Sequence, residues 1–316
     1  MKMKHKNITL LVAASLLSNA ALAGTHASDV AGFGYDENRI KDATPWTSTE
    51  FQNNPEKFQF VVIGDRTGGA NVEHTYKLAM AQLNLLRPEF VINVGDNIEG
   101  YSDDKAELNA EWDEVDKMMA ELEMPFFRTP GNHDIANTTA QEVWLDRFGA
   151  SYYHFVYRNV LFMVLDSEDP PREAPEGIKE KLELYNRLQT EDPAKAQAML
   201  AEFMSDEAVV AGLSTPVEFG EEQLAWIKKT LEENEDVRWT FLFQHEPAWE
   251  NPSKSFKAIQ KMLKNRKHTY LAGHLHYYDY DLIGGHEHIT MGPSGASFHH
   301  EGPGNVDHIM WVTMTE

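Results

Sequence analysis

Five apolar runs, each followed by polar side chains that can bind a metal ion, constrain the fold of this chain more than any other feature. The third run, residues 124–127, leads into Thr-Pro-Gly-Asn-His-Asp at residues 129–134. A Pro-Gly turn is common in loops that have no function. An amide, an imidazole and a carboxylate in consecutive positions after that turn indicate a binding or catalytic loop.

The other four runs follow the same design. Continuous apolar runs are typical of buried strands, and open α/β sheets bind ligands just beyond the carboxyl ends of their strands. The pattern therefore predicts five strand ends that converge on one cleft. The runs and the residues that end them are 58–65 with Asp65, 90–96 with Asp96, 239–245 with His245, and 270–276 with His274 and His276.

The segments between the runs predict an α/β domain. Residues 58–63, 72–86 and 90–94 have the pattern of a strand, an amphipathic helix and a second strand parallel to the first. The chain of 316 residues, 42% of them hydrophobic, is long enough for one large core. Near the C-terminus, residues 289–291 and 308–314 are predicted to pair as strands around a glycine-rich loop.

We divide the chain into a signal peptide at residues 1–23, an extended lead-in at 24–56 and one domain at 57–316. A helical insertion at about 167–216 interrupts the domain. The insertion begins with a proline-rich stretch and continues as two charged helices. It carries no chemical motif. Three roles stay open for it: a lid over the cleft, a dimer contact, or a solvent-exposed segment without either role.

The first residues predict export. Three lysines precede the apolar run 8–17, which leads to Ala-Leu-Ala at residues 21–23, the pattern of a secretory signal peptide. A run of this length is short for a membrane span. The chain contains no cysteine and therefore no disulfide. Export without disulfides suits a bacterial periplasm or secretion.

The charge of the chain limits its partners. The formal net charge is −22, and cleavage of the signal peptide would remove three lysines and no acids, which gives −25. Such a surface repels nucleic acid and anionic lipid, so we expect neither as a partner after cleavage. An anionic substrate would need local positive charge, which bound metal ions can supply. The oligomeric state cannot be predicted from the sequence.

The strand ends offer carboxylate, amide and imidazole ligands for two divalent cations. A carboxylate that lies between two cations can bridge them, and Asp96 is our candidate for this role. His274 and His276 are two residues apart, so an extended backbone directs both side chains the same way. Each of the two histidines could then bind one of the two cations.

Taken in order, these blocks resemble the calcineurin-like metallophosphoesterase family, whose pattern is Gly-Asp, Gly-Asp, Gly-Asn-His-Asp/Glu, His and Gly-His-x-His at successive strand ends. The resemblance covers residues 58 to about 292 without the insertion. It implies a four-layer α/β/β/α sandwich around two metal ions. It assigns Asp65, Asp96 and His276 to the first metal site, and Asp96, Asn132, His245 and His274 to the second.

The first block departs from the family pattern. Most members read Asp-x-His there, and the histidine is a ligand of the first metal, whereas this chain has Asp65-Arg66-Thr67. Purple acid phosphatases, which are similar in pattern, also lack this histidine and use a tyrosine three residues after the bridging aspartate. Glu99 occupies that position here, either as a replacement ligand or as a neighbour of the ligands.

The chemistry of two metals implies the reaction. A water held between two cations loses a proton readily and attacks phosphorus in line, while the metals neutralise phosphoryl oxygens. We expect His133 to contact the substrate and to donate to the leaving or a phosphoryl oxygen, with Asp134 orienting its ring. Arg66 either binds phosphate through its guanidinium fork or pairs with an acidic neighbour.

Three further residues are candidates for substrate contact. Thr67 precedes two glycines that would let the backbone approach a ligand, and Asn97 follows Asp96. Trp249 follows His245 closely and either stacks on a substrate ring or packs in the core. One or more histidines of the last segment could also line the cleft: His286, His288, His299, His300 and His308.

We therefore predict an exported, metal-dependent phosphoesterase that hydrolyses mono- or diesters with a metal-bridging hydroxide as the nucleophile. The alternative is a metal-binding protein that binds a phosphate ligand with little catalysis, because the first block lacks the usual histidine. His133 favours the enzyme, since a metal scaffold does not need this imidazole. Histidine, aspartate and asparagine together permit Mn, Fe, Zn or Co.

Overall fold

The computed structural model describes residues 26–27, 32–52, 57–67, 72–172, 174, 177–207, 209, 215–299 and 302–315. Within these ranges the chain forms two β-sheets and seven helices, so the predicted mixed α/β class is confirmed. The expected signal peptide at residues 1–23 lies outside the described residues. Among the helices described, none is both long enough and apolar enough to cross a membrane.

The strands form one large and one small sheet. In chain order they are β1 (His26–Ala27), β2 (Phe33–Tyr35), β3 (Phe58–Ile63), β4 (Val91–Asn93), β5 (Phe126–Phe127), β6 (Tyr153–Tyr157), β7 (Val160–Val164), β8 (Trp239–Phe243), β9 (His268–Ala272), β10 (Asp279–Ile283), β11 (His286–Thr290) and β12 (Ile309–Met314). The eight-stranded sheet has the order β1-β2-β6-β7-β8-β9-β11-β10, and the four-stranded sheet has the order β12-β3-β4-β5.

The helices connect the strands and carry polar caps. Side chains of Asp104, Asn137 and Ser253 accept backbone N–H bonds at the amino ends of three helices, as is usual for N-cap residues. The described helices are α1 (Val72–Leu86), α2 (Lys105–Met119), α3 (Thr138–Phe148), α4 (Ile178–Glu191), α5 (Pro193–Ser205), α6 (Glu221–Glu233) and α7 (Lys254–Leu263).

Strand β3 shows why its apolar run is continuous. Phe60 and Val62 pack in an apolar cluster between the two sheets, whereas Val61 and Ile63 pack in a cluster with α1, α2 and α3. Successive side chains of a strand point to opposite faces, so a strand that is covered on both faces needs apolar residues at every position.

A third apolar cluster covers the other face of the large sheet. There Leu242 of β8 and Tyr270 of β9 pack with Ile227 of α6 and Ile259 of α7. Helices therefore cover the outer faces of both sheets, while the inner faces pack on each other.

Two expectations about the ends of the domain are corrected. The C-terminal segments do not pair with each other: β11 lies in the large sheet, while β12 is antiparallel to β3 in the small sheet. The predicted lead-in at 24–56 is not only an extended segment ahead of the domain, because β2 pairs with β6 and the side chains of Phe33 and Trp46 are buried. In both cases apolar side chains find partners far away in sequence.

Candidate metal centre

The metal ligands proposed from the sequence follow strands that end at a common edge. Strands β3, β4 and β5 are parallel to one another, and β8 is parallel to β9. Their carboxyl ends lie where the two sheets meet, so short loops bring the ligands together. These six residues are Asp65 after β3, Asp96 after β4, Asn132 after β5, His245 after β8, and His274 and His276 after β9.

We call Asp96, Asn132, His245 and His274 the second set. Nε2 of His245 lies 3.2 Å from Oδ2 of Asp96. Nδ1 of His274 lies 2.9 Å from Oδ1 of Asn132 and 3.2 Å from Nε2 of His245. Two donors that each lie about 2.1 Å from one cation, at a right angle, are about 3 Å apart. The second set therefore has the spacing of ligands to one divalent cation.

We call Asp65, Asp96 and His276 the first set. One ligand atom of each residue lies within 4.8 Å of the others, and all three residues are buried. Nε2 of His276 is 3.1 Å from Oδ2 of Asp65. The other oxygen of Asp65, Oδ1, is buried and has no hydrogen-bond partner among the described residues. Because a buried, unpaired carboxylate oxygen is unfavourable unless a cation meets it, the first set also fits a divalent cation.

The backbone is strained at the ligands themselves. Asp96, His274 and His276 have φ angles of 55°, 68° and 55°, in the left-handed region that non-glycine residues rarely adopt. A Cβ atom at Gly131 would lie 2.2 Å from Oδ1 of Asp96, and one at Gly273 would lie 2.1 Å from Oδ1 of Asp65. Strain of this kind is concentrated at functional sites. The two glycines allow the loops to reach the carboxylates.

Backbone carbonyls orient two of the ligand imidazoles. Nδ1–H of His245 donates to the carbonyl of Val94 over 2.9 Å, and Nδ1–H of His276 donates to the carbonyl of Ser297. In each ring this bond leaves Nε2 directed at a carboxylate of the centre. A hydrogen bond to the far nitrogen is how proteins usually fix the tautomer of a metal-binding histidine.

His133 lies beside the ligands rather than among them. Its Nδ1–H donates to the carbonyl of Glu99 over 2.7 Å, and its Nε2 lies 3.9 Å from Oδ2 of Asp96. The ring is therefore fixed by a backbone group, with its second nitrogen directed toward the centre. Its predicted contact to a substrate stays a prediction.

The charges of the centre favour the metal-binding forms of Asp96 and His274 but not that of His245. Burial alone would raise the pKa of Asp96, but the neighbouring His245 and His133 charges hold that pKa well below its ordinary value. Burial lowers the pKa of His245, yet Asp96 outweighs burial and raises it to about 10. Burial, followed by the charge of His245, holds the pKa of His274 well below its ordinary value. A cation that binds the second set therefore displaces a proton from His245.

The role predicted for Asp134 is corrected. Its carboxylate accepts backbone N–H bonds from Asn97, Ile98 and Gly131 at 2.8, 3.2 and 2.9 Å, and a side-chain bond from Asn97 at 3.0 Å. These bonds use the carboxylate fully, so it joins the loops after β4 and β5 instead of orienting the ring of His133. Burial, followed by the charge of Asp96, raises the pKa of Asp134 to about 7.

The predicted substrate contacts of Arg66 and Asn97 are also corrected. Nη1 of Arg66 donates to the carbonyl of Asn97 over 2.9 Å, and Nη2 pairs with Glu114 over 3.0 Å. The acidic-neighbour alternative for Arg66 is therefore the one observed. Oδ1 of Asn97 accepts from Asn93 over 2.8 Å, and the side chain is buried in the loop network.

Glu99 and Trp249 lie away from the ligands. The carboxylate of Glu99 accepts a 3.0 Å bond from Asn186 of α4, and it is not part of the first set, so its proposed role as a ligand is corrected. Trp249 is buried against Tyr270 and His288, so packing is its role. Thr67 is fully buried, and its hydroxyl has no hydrogen-bond partner among the described residues.

Tyr101 is a residue of the centre that the sequence patterns did not indicate. Its hydroxyl accepts a 2.7 Å bond from Nδ2 of Asn132, which directs the amide oxygen of Asn132 toward the second set. The ring of Tyr101 also packs edge-on against His133, with centroids 4.8 Å apart. The residue lies beyond the strand-end block, and no motif identifies it.

Arg172 was also missed. Its Nη2 donates to both carboxylate oxygens of Glu168 at 3.0 Å and contacts Glu246, the residue after His245. Strand β7 is a further apolar run that leads into Asp166, as β3 and β4 lead into their aspartates, but no motif marks Arg172 itself. The side chain of Arg172 is 34% exposed.

Of the C-terminal histidines, His299 lies at the centre. Its ring stacks on that of His276 with centroids 3.9 Å apart and an angle of 22°. Burial, followed by the charge of His276, holds the pKa of His299 well below its ordinary value. His286 and His288 lie on β11 away from the ligands, and His300 lies outside the described residues.

One sizeable cavity in the described parts of the chain lies away from this centre. It has a volume of about 890 Å³ and is lined by residues such as Arg238, Met262 and Arg266. These residues lie near the amino ends of β8 and β9, at the opposite edge of the sheet. The cavity contains none of the proposed ligands, so chemistry rather than volume identifies the site.

Comparisons with known proteins show a similar fold and a family. A dimetal phosphatase from Danio rerio has a similar fold, with a TM-score of 0.53 and 16% identity over 82% of this chain and 98% of the other. The structure titled GAP50, the anchor in the inner membrane complex of Plasmodium, is 16% identical with a TM-score of 0.41, over 75% of this chain and 72% of the other. No curated protein sequence matches significantly. The family described as calcineurin-like phosphoesterase matches residues 58–289, and the chain belongs to this family of metal-dependent phosphoesterases.

Proposed function

We propose that this protein hydrolyses small phosphate mono- or diesters with two divalent cations, chosen from Mn, Fe, Zn and Co. Membership of the family supports phosphoester hydrolysis in general. The observation that carries the proposal is the spacing of 2.9 to 3.2 Å between the donor atoms of the second set. Next to this set lies the imidazole of His133, which is not one of the proposed metal ligands. Its Nε2 is directed toward Asp96.

The cations, His133 and Tyr101 have separate roles in the proposed reaction. When bound, the two cations activate a water nucleophile and neutralise the charge of phosphoryl oxygens. His133 is positioned to donate a proton to the leaving oxygen from Nε2, while the carbonyl of Glu99 holds the ring from the other side. Tyr101 keeps the amide of Asn132 in the orientation that the second set needs.

Arg172 takes the role that we first expected of Arg66. Two carboxylates anchor its Nη2, and its charge lies near enough to act on His274 and Tyr101. The other two nitrogens of the guanidinium make no hydrogen bond to the described residues and can donate to a phosphate oxygen. Arg172 therefore supplies the cation that orients the ester.

The insertion supports a preference for small substrates. Asn186 of α4 bonds to Glu99, and Lys179 pairs with Glu107 over 2.9 Å. Both partners belong to the segment that follows the bridging aspartate, so α4 covers the side of the cleft near His133. A bulky ester would have to displace this helix.

We further propose that the protein acts outside the cytoplasm after cleavage at residue 23. The support is the sequence pattern of lysines, apolar run and Ala-Leu-Ala. Mass spectrometry of the protein recovered from the periplasm and medium of an expressing bacterium tests this. The proposal requires a mature chain that begins at Gly24, whereas an uncleaved chain in the cytoplasm would contradict it.

Hydrolysis of p-nitrophenyl phosphate and bis-p-nitrophenyl phosphate tests the reaction. The metal-reconstituted protein should hydrolyse at least one ester, and Asn132→Ala should not. The preferred ester distinguishes monoesterase from diesterase. If the protein binds two metal ions and phosphate but hydrolyses neither ester, the alternative of a phosphate-binding metalloprotein replaces the proposal. The three-residue first set is the observation that favours this alternative.

A further inference from the structure

The cavity at the amino ends of β8 and β9 has the size of a small-molecule site. Its volume of about 890 Å³ lies within the range of about 300 to 1,000 Å³ that is usual for such sites. The carboxyl-terminal halves of α6 and α7 form two of its walls, and the segments that lead into β8 and β9 form the others. None of the residues that line it belongs to either metal set.

The charge of this cavity is opposite to that of the whole chain. The chain has 28 Lys and Arg against 50 Asp and Glu, whereas five of the residues that line the cavity are Lys or Arg and two are Glu. Residues 251–278, which supply one side of the cavity, contain six Lys or Arg and no acidic residue. A locally positive cavity in an acidic protein attracts anions, so its charge indicates an anionic ligand.

Arg266 gives the cavity a fixed positive wall. Its Nη1 donates to the carbonyl of Asn234 over 2.8 Å, and its Nη2 donates to the carbonyl of Leu231 over 3.0 Å. Leu231 lies in the last turn of α6, and Asn234 follows the helix as its C-cap. These bonds to backbone oxygens keep the guanidinium at the cavity, so part of the positive charge is in place before a ligand binds.

Two lysines that line the cavity are not used by the fold. The ammonium groups of Lys261 and Lys267 have no hydrogen-bond or ion-pair partner among the described residues. By contrast, Nζ of Lys228 lies 3.8 Å from Oε1 of Glu232, and the guanidinium of Arg238 donates to a backbone carbonyl. Lys261 and Lys267 can therefore both donate to an anionic group.

Apolar side chains line another part of the cavity. They are those of Leu231, Val237, Ala258 and Met262, and Met262 is 36% exposed. An inorganic anion would leave these side chains in contact with water. A ligand with an apolar body would cover them, which is favourable because it removes apolar surface from water. The lining therefore fits a molecule that has both an anionic group and an apolar part.

We propose that this cavity binds a small organic anion. Its carboxylate, sulfonate or phosphate group contacts Lys261 and Lys267, and its apolar body contacts Leu231, Val237 and Met262. The metal centre lies at the opposite edge of the large sheet, so this binding goes beyond the proposed hydrolysis and does not depend on it.

Two related dyes test the site. The anion 8-anilinonaphthalene-1-sulfonate and the neutral N-phenyl-1-naphthylamine differ by the sulfonate, and both fluoresce in apolar surroundings. Fluorescence titration of the full-length, metal-loaded protein should show one molecule of the sulfonate bound per chain. In Lys261→Gln/Lys267→Gln the sulfonate should bind at least about tenfold more weakly, because two charge-assisted bonds are lost. The neutral dye should bind to this variant as it does to the wild type.

Two further variants separate the cavity from general surface charge. Lys257 and Lys264 flank Lys261 in sequence and are exposed, but they do not line the cavity. Lys257→Gln/Lys264→Gln should therefore bind both dyes as the wild type does. Ala258→Phe places a ring in the cavity and should weaken binding of both dyes by about tenfold or more. Circular dichroism verifies folding, and the two lysine variants decide the test if Ala258→Phe does not fold.

Three results would overturn the proposal. The first is sulfonate binding of wild-type affinity in folded Lys261→Gln/Lys267→Gln. The second is equal weakening in Lys257→Gln/Lys264→Gln, because any surface charge would then have the same effect. The third is sulfonate binding that is lost in Asn132→Ala, because the dye would then occupy the metal centre. Ester hydrolysis by the wild type is measured separately, so failure of this inference is distinguishable from failure of the proposed function.

Discussion

The two halves of the metal centre are built in different ways. The second set takes all four donors from strand ends, and three pairs of donor atoms already lie 2.9 to 3.2 Å apart. The first set shows one such pair, at 3.1 Å, and includes a carboxylate oxygen without a partner among the described residues. The loop after β11 also contacts the first set, because its backbone N–H groups donate to the carbonyl of Asp65 and its Ser297 carbonyl accepts the Nδ1–H bond of His276.

This difference shows how one half of a metal site can change within a fold while the other half is retained. A ligand on a loop at a strand end is fixed by the sheet, because the strand determines where its chain emerges. We therefore expect substitutions that affect the shared Asp96 to have larger effects than those confined to one half.

Asp96→Asn should give the largest effect because Asp96 belongs to both sets. The amide keeps the shape of the side chain but removes the charge that pairs with His245. Loss of both cations removes several kcal/mol of transition-state stabilisation, so hydrolysis should fall by about 10³-fold or more. Metal analysis together with ester hydrolysis measures this. Retention of two ions with unchanged activity would show that the halves do not share this residue.

A pair of glycine variants separates the halves. Gly131→Ala brings a methyl group against Asp96, and Gly273→Ala brings one against Asp65. We expect Gly131→Ala to weaken both ions and Gly273→Ala to weaken one, each by about 10- to 100-fold, since displaced ligands bind less well. Titration with Mn²⁺ distinguishes the two patterns. The same pattern in both variants would argue against two separable sets.

A pair of arginine variants compares substrate binding with structure. Arg172→Gln should raise KM by about tenfold with both metals retained, because a charge-assisted bond to phosphate contributes about 1.5–3 kcal/mol. Arg66→Gln should leave KM unchanged and lower the free energy of unfolding by about 1 kcal/mol, since its partners are Asn97 and Glu114. Steady-state kinetics and urea unfolding test both variants. A higher KM only in Arg66→Gln would reverse the assignment.

The smallest effect on catalysis is expected at His154, far from the centre on β6. Burial lowers the pKa of His154 to about 4, and neither ring nitrogen has a partner in the part of the chain that is described. The unfolded chain takes up this proton below about 6.5, so stability is full above that pH and falls as the pH drops toward 4. The difference corresponds to about 3 kcal/mol.

His154→Phe should remove this contribution to acid sensitivity while hydrolysis stays unchanged. Urea midpoints of the metal-free proteins at pH 7.5 and pH 5 provide the measurement, with the exposed His74→Gln as the control. The wild type and the control should lose more stability between these pH values than His154→Phe. Equal losses in all three proteins would show that His154 is not protonated on unfolding.

Much of the centre could be predicted from the sequence because strand ends are local features. The apolar runs before Asp65 and Asp96 are strands, and the structure brings their ends together with those of β8 and β9. The positions of Tyr101, Arg172 and His299 depend on how separate loops pack over the edge. No period or spacing in the sequence carries that information.

The misassigned residues have a similar cause. Arg66 and Asp134 have the right chemistry next to the right blocks, but the burial of their side chains gives them protein partners instead of a substrate. The tail strands were paired with each other because they are neighbours in sequence. In the fold β12 pairs with β3 in the small sheet, through six residue pairs from Ile309↔Ile63 to Met314↔Phe58.

The most direct test of the account follows metal binding and hydrolysis in one titration. Metal-free protein is titrated with Mn²⁺ while heat and the release of p-nitrophenol from the preferred ester are recorded. We predict two Mn²⁺ binding events per chain, of which the tighter one occurs at the preorganised second set. Ester hydrolysis should rise only when the other, more weakly bound ion also binds. Full activity after one ion, or two bound ions without any hydrolysis, would contradict it.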